Sequence, residues 1–204
     1  MKTNLTYYYI LLIICSLCCS CGFRGDDHDA GVKRIKVPFA AASIHVPASY
    51  NVTTINAYQE LLNNVESPNE LTRGASQALE QLKNSNYKKA MLVDSTDARK
   101  VIFFQQGDYI PMTASLAAEY LILLSQTVKK NWALQNIKCT RIKDKYISWK
   151  DAKIVKIKYK LEVESYNMYT THYLITANNR TWALNINSPD EEDFEDLLTS
   201  IKLY

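Results

Sequence analysis

From residue 155 to residue 164 the chain alternates apolar and charged side chains without a break. Val155, Ile157, Tyr159, Leu161 and Val163 share one parity, and Lys156, Lys158, Lys160, Glu162 and Glu164 share the other. Successive residues of a strand point to opposite faces, so the pattern predicts a half-buried antiparallel strand with a wet, charged face. "YTTHYLITA" and "TWALNIN" continue the period of two, joined by "NNR", where Asn178 and Asn179 suit a turn. Residues 135 to 146 read as another strand, and their apolar phase slips between Cys139 and Ile142, which predicts a bulge. Earlier in the chain, "KRIKVPFAAASIHVP" predicts two short extended pieces, closed by Pro38 and Pro47 as suits strand ends or an edge. "KAMLVD" and "KVIFFQQ", on either side of "STDAR", predict a hairpin.

Elsewhere the period is helical. Ile55, Tyr58, Leu61, Leu62 and Val65 fall on one face of a short helix. Ser67, Pro68 and Glu70 form a capping box ahead of the stripe Leu71, Ala75, Ala78, Leu79 and Leu82, in which Gly74 is a soft spot. Thr113 caps a longer helix that closes near Lys129 and Lys130, where the helix dipole favours cations. Leu121 to Leu124 are apolar on every side, which predicts cover on more than one face. At the C-terminus, Ser188, Pro189 and Glu191 repeat the capping pattern. Phe194, Leu197, Leu198 and Ile201 supply the docking stripe of a final helix.

The 204 residues suffice for one sizeable core, so one domain is expected. A net charge of +3 lacks the clustered basicity of a dedicated nucleic-acid binder, and no nucleic-acid partner is expected. The first twenty residues differ from the rest. Lys2 precedes an uncharged run from Tyr7 to Cys19, shorter than the roughly 20 residues that span a bilayer and suited to a secretory leader. "GFRGDDHDAGVKR" then reads as a polar tether.

Cys15, Cys18, Cys19 and Cys21 crowd seven positions and include a C-x-x-C pair. A closed metal site needs ligands that folded structure brings together, and an apolar leader has no such scaffold. The segment instead resembles a bacterial lipoprotein signal, with Ser20 before Cys21 and Gly22 after it. That resemblance implies acylation at Cys21, with Cys19 as the fallback and a plain secretory leader as the third reading. Asp26 and Asp27 resemble the acidic tethers of surface-exported lipoproteins in Bacteroidetes-type bacteria. Together these imply a cell-envelope protein held to a membrane, the outer one, by its lipid. Residues 1–20 are then the signal, 21–32 the tether and 33–204 a single α+β domain.

An extended N-terminal piece ending in "IHVP", internal helices, and an antiparallel meander closed by "EDFEDLLTSIKL" resemble the PsbP-like α/β sandwich. The likeness runs over roughly residues 35 to 203. It implies an antiparallel meander sheet packed by amphipathic helices, in a fold that also serves small lipoproteins and secretion-associated chaperones.

Chemistry is sparse. H-E-x-x-H, G-x-S-x-G and glycine-rich phosphate loops are all missing, so no catalytic residue, metal ligand or cofactor is assigned. Cys139 with His45 or His172 would make a nucleophile pair only if the fold joined them; an inert strand cysteine is the simpler reading. The acids Asp190, Glu191, Glu192, Asp193, Glu195 and Asp196 suit a helix N-terminus better than a calcium site. Ser95, in "DST", matches a bacteroidal O-glycosylation pattern in a surface turn. Trp132, Trp149, Trp182, Tyr166, Tyr169 and Tyr173 could line a glycan or peptide groove, with core packing the simpler account. Lys143, Lys145, Lys156, Lys158 and Lys160 mark a face for an anionic partner if a hairpin through "SWKD" sets two strands side by side. The functional expectation is a non-catalytic, lipid-anchored accessory or binding protein with a protein or glycan partner. An envelope hydrolase and a secretion-associated chaperone or inhibitor are the alternatives.

Overall fold

The computed structural model describes residues 31–64, 70–149, 151–163 and 166–204. The leader with Cys19 and Cys21, nearly all of the tether, the cap at Ser67 and Pro68, and Glu164 lie outside the described residues. In chain order the strands are β1 (Val32–Val37), β2 (Ala42–Pro47), β3 (Tyr50–Thr53), β4 (Lys89–Asp94) and β5 (Val101–Gly107). They continue as β6 (Lys138–Trp149), β7 (Ala152–Val163), β8 (Tyr166–Ala177), β9 (Arg180–Ser188) and β10 (Lys202–Leu203). The helices are α1 (Ile55–Asn63), α2 (Glu70–Lys83), α3 (Ala114–Ala133) and α4 (Glu195–Thr199).

Two antiparallel sheets result. One has the order β1-β2-β10 and the other β3-β4-β5-β9-β8-β7-β6. The expected α+β class is the one observed. The meander β6 to β9 folds back so that β9 lies beside β5, with Phe104 opposite Leu184. Strand parity then divides the large sheet's side chains between its two faces, one packed on the small sheet and the other on the helices. Ile102, Phe104, Ile154, Tyr173, Ile175, Trp182, Leu184 and Ile186 pack against Ile35, Val37, Ile44 and Val46 of the small sheet. Val155, Ile157, Tyr159 and Leu161 face Ala117, Leu121, Leu124 and Val128 of α3. Met91, Val93, Val101 and Phe103 face Ile55 and Tyr58 of α1 and Leu79 and Leu82 of α2.

Local rules account for most joints. Thr113 Oγ1 accepts from Leu116 N at 3.2 Å, the expected cap of α3. Asn178 and Asn179 take φ of 49° and 55°, the two left-handed positions of a tight hairpin turn between Ala177 and Arg180. The register of β6 on β7 shifts between Arg141 and Lys143, so Ile142 is the bulge residue. At Gly74, α2 passes close to the end of α3: a Cβ there would stand 2.5 Å from Gln135 Oε1, the tip of a flexible side chain free to swing aside, and 3.4 Å from Trp132 Cζ3.

Three expectations need correction. Ser188 does not cap a helix: it pairs with Tyr169 as the last residue of β9, and its hydroxyl accepts from Asp190 N at 3.1 Å. The ladder has already committed its backbone to the sheet, and α4 begins only after Phe194, which caps it without a side-chain bond. Leu197, Leu198 and Ile201 still reach the core, with Phe194 packed at its margin. On α3, Ile122 and Leu123 are 57% and 46% exposed, because the helix rests on β6 and β7 with one face alone. Finally, the charged parity of β7 is not a wet face. Lys156 and Lys158 are buried, at 1% and 7% exposure.

Candidate functional site

The hairpin through "SWKD" forms as expected, with Trp149 opposite Ala152. It sets Lys143 opposite Lys158 and Lys145 opposite Lys156, so four lysines share one face of two adjacent strands. Thr140 stands opposite Lys160 and Lys138 opposite Glu162 on the same face. Cations this close repel unless anions relieve them. The relief comes from the chain itself.

After β9 the segment from Pro189 to Phe194 passes over this face before α4 returns to the core. Lys156 Nζ donates to Asp193 Oδ1 at 3.0 Å and Glu195 Oε1 at 2.9 Å. Lys158 Nζ donates to the carbonyl of Glu192 at 2.9 Å and lies 3.6 Å from Glu191 Oε1. Lys143 Nζ reaches Glu195 at 3.3 Å and Asp193 at 3.5 Å. Lys100, just before β5, holds Asp190 at 3.0 Å and Glu192 at 2.6 Å. Beneath the acids, Lys156 Nζ sits 5.6 Å from the Tyr173 ring centre and Lys158 Nζ 5.7 Å from that of Tyr169, within cation–π reach. Lys160 pairs with Glu162 at 3.0 Å on its own strand, and Lys145 stays exposed.

The electrostatics agree with the geometry. At Asp193 burial works against ionisation, yet Lys156 and Lys143 outweigh it and hold the carboxyl below its usual range. Glu195 is lowered by hydrogen bonds from Lys156 and Lys143. Lys100 is raised by its bonds to Glu192 and Asp190. The acidic run therefore belongs only at its end, Glu195 and Asp196, to a helix's first turn. Glu191 and Asp193, together with Glu195, are counter-ions of the lysine face, and Asp190 and Glu192 are held by Lys100. Reasoning along the sequence missed Lys100 entirely. The one available signal was a lysine ladder and an acidic run in the same domain.

The remaining candidates are scattered. Cys139 stands opposite Leu161 on β6, half-buried, with its thiol pushed up to about 11 by burial. His172 stands opposite Ile157, two strands away and four positions along β7, and His45 lies in the other sheet, so the fold joins neither to Cys139. His172 is buried, its Nδ1 2.5 Å from Asn185 Oδ1 and its Nε2 3.5 Å from Thr170 Oγ1. It borders a cavity of about 10 Å³ with Tyr120, Leu124, Val155, Ile157 and Leu174. That is room for about one water and no substrate. Trp182 and Tyr173 are core residues at 1% exposure, while Trp132, Trp149, Tyr166, Tyr169 are partly buried.

Ser95 is exposed in the turn after β4. Asp94 organises that turn by accepting from Thr96 N at 2.7 Å, Thr96 Oγ1 at 2.6 Å and Ser49 Oγ at 2.6 Å. Burial raises the Asp94 carboxyl, but these bonds prevail and hold it at about 2. Among the described residues no helix is long and apolar enough to cross a membrane.

No family model matches the chain, and no curated protein does. Among solved structures it is similar to the solution structure of cyanobacterial PsbP (CyanoP) from Synechocystis sp. PCC 6803. The TM-score is 0.54 at 10% identity, over 91% of this chain and 100% of that one. At that identity the likeness shows the fold alone, and the fold is PsbP-like.

Proposed function

We propose that this chain is a non-catalytic, lipid-anchored accessory protein of a bacterial cell envelope, a binding domain carried on the tether of residues 21–32. The observation that carries the reading is Ser20-Cys21-Gly22 at the end of an uncharged run too short to span a bilayer. One acyl chain holds a protein only marginally, whereas the several chains of a mature lipoprotein hold firmly. A binding rather than catalytic role is supported by where the polar groups lie. His172 is buried beside a water-sized cavity and bonded to Asn185, while the edge strand β6, with Lys143 and Lys145, lies at the surface. Edge strands and charged faces are surfaces on which partners dock.

Cys21→Ala tests the anchor. The expected result is release of the protein from the membrane fraction and loss of incorporated fatty acid. Membrane retention with no lipid on the mature N-terminus overturns the assignment.

A further inference from the structure

We propose that the acidic segment from Pro189 to Asp193 is an internal ligand. It occupies a basin of Lys143, Lys156 and Lys158, floored by Tyr169 and Tyr173, that an acidic peptide segment of a partner protein can take over. The inference rests on the reading of the chain as a binding protein and names the chemistry its partner presents.

Both ends of the segment are anchored in the ladder or the core, and its middle is held by polar contacts alone. Ser188 is held in the β8–β9 ladder, and Leu197 and Leu198 are buried in the core between the sheets. Between them Asp190, Glu191, Glu192 and Asp193 put no side chain into a hydrophobic cluster. What holds them to the sheet is ionic: Lys100 to Asp190 and Glu192, Lys158 to Glu191, Lys156 and Lys143 to Asp193, with the Lys158 bond to the Glu192 carbonyl. The floor is complete without them. β6, β7 and β8 pair with one another along their lengths, so lifting the segment breaks no ladder hydrogen bond.

The occupant's chemistry is on view. On this non-helical stretch the Asp193 carboxylate meets Lys156, and the Glu192 carbonyl with the Glu191 carboxylate 3.6 Å away meets Lys158, with two tyrosine rings behind them. Because the resident segment is tethered, its effective concentration is of order millimolar, and a free competitor of equal quality is held off. A partner displaces it by offering more carboxylates or a second contact, for which the exposed Lys145 on the adjacent edge strand is placed. Opening also restores water to Lys156 and Lys158, so no cation is left buried without an anion.

The test uses the full chain in detergent. In one variant Asp190→Asn, Glu191→Gln, Glu192→Gln and Asp193→Asn are combined. The probe is a labelled peptide with the sequence of residues 188–196, beside its amide-substituted counterpart and anionic vesicles. The expected result is that the variant binds the acidic peptide at least about tenfold more tightly than wild type, with affinity falling as salt rises. Lys156 and Lys158 should resist amine acylation in wild type, react in the variant, and be protected again by the peptide. In wild type, high salt alone should raise their reactivity. A folded variant whose lysines stay unreactive, or which binds the peptide no better than wild type, overturns the proposal. So does a variant that no longer melts cooperatively, since the segment is then part of the fold. Preference for vesicles or for the amide peptide overturns the choice of occupant. Lipid attachment at Cys21 does not enter these readouts, so failure of the anchor assignment remains separate.

Discussion

His172 Nδ1 lies 2.5 Å from Asn185 Oδ1 on the adjacent strand, in the layer between the large sheet and α3. Burial lowers the imidazole below its ordinary 6.5, and the bond to Asn185 only partly opposes this. The folded ring is therefore neutral where the unfolded chain has begun to take up a proton at about 6.5. Its contribution to stability is complete above that value and is lost as pH falls toward the folded one. Thermal melts should show a drop between about pH 7 and pH 5, a window Asp94, held at about 2, does not share. His172→Gln should be less stable at neutral pH but flatter across that window. An unchanged slope in the variant would assign the drop to other groups.

Trp182 fills the core between the sheets, 6.3 Å from Phe104 between ring centres, yet its Nε1 has no hydrogen-bond partner among the described residues. Packing and polarity therefore oppose each other at this residue. Trp182→Ala should cost about 3–5 kcal/mol by opening a cavity. Trp182→Phe, which keeps an aromatic ring and removes the orphaned donor, should cost less than about 1.5 kcal/mol. Denaturant midpoints on both variants decide; equal losses would mean the indole N–H is satisfied.

The β8–β9 turn needs two left-handed residues, and asparagine tolerates that conformation where β-branched side chains do not. Asn179→Gly should match wild type, while Asn179→Val should lose about 1–2 kcal/mol. Refolding and unfolding rates of the two variants would locate the loss. A valine variant as stable as wild type would contradict the turn geometry.

The C-terminal segment closes the core although its helix is short. Leu197, Leu198 and Ile201 are buried, Tyr204 N donates to Ala41 O at 2.9 Å, and Lys202 pairs with Ser43. Leu198→Ala should cost about 2–5 kcal/mol. Removing residues 189–204 should yield no cooperative melt by calorimetry. A normal melt of that truncation would show that the two sheets hold without it.

Much of this architecture was legible along the chain because its causes are local. Parity separated the two faces of β7, two adjacent asparagines marked a turn, a slipped phase marked the bulge at Ile142, and a threonine before an apolar stripe marked the start of α3. Each depends on neighbours within a few residues, where backbone geometry alone dictates which side chains share a side. The small strands β3 and β10 carried no such mark. They exist because a longer strand offers them hydrogen bonds, Tyr50 opposite Asp94 and Leu203 opposite Ala42.

The lysine face divides in the same way. Sequence by itself determined that Lys156, Lys158 and Lys160 point together, and offered Lys143 and Lys145 as neighbours on condition of a hairpin, which the pairing of β6 with β7 supplies. Only the tertiary structure decided what covers them. The carboxylates that meet Lys156 lie 37 and 39 residues further on and arrive because β9 ends at that height on the sheet. A polar residue reads as solvent-facing by default, since burying a charge costs several kcal/mol unless an opposite charge is delivered to it. Whether one is delivered depends on where a distant loop crosses the sheet, which no short window of residues contains.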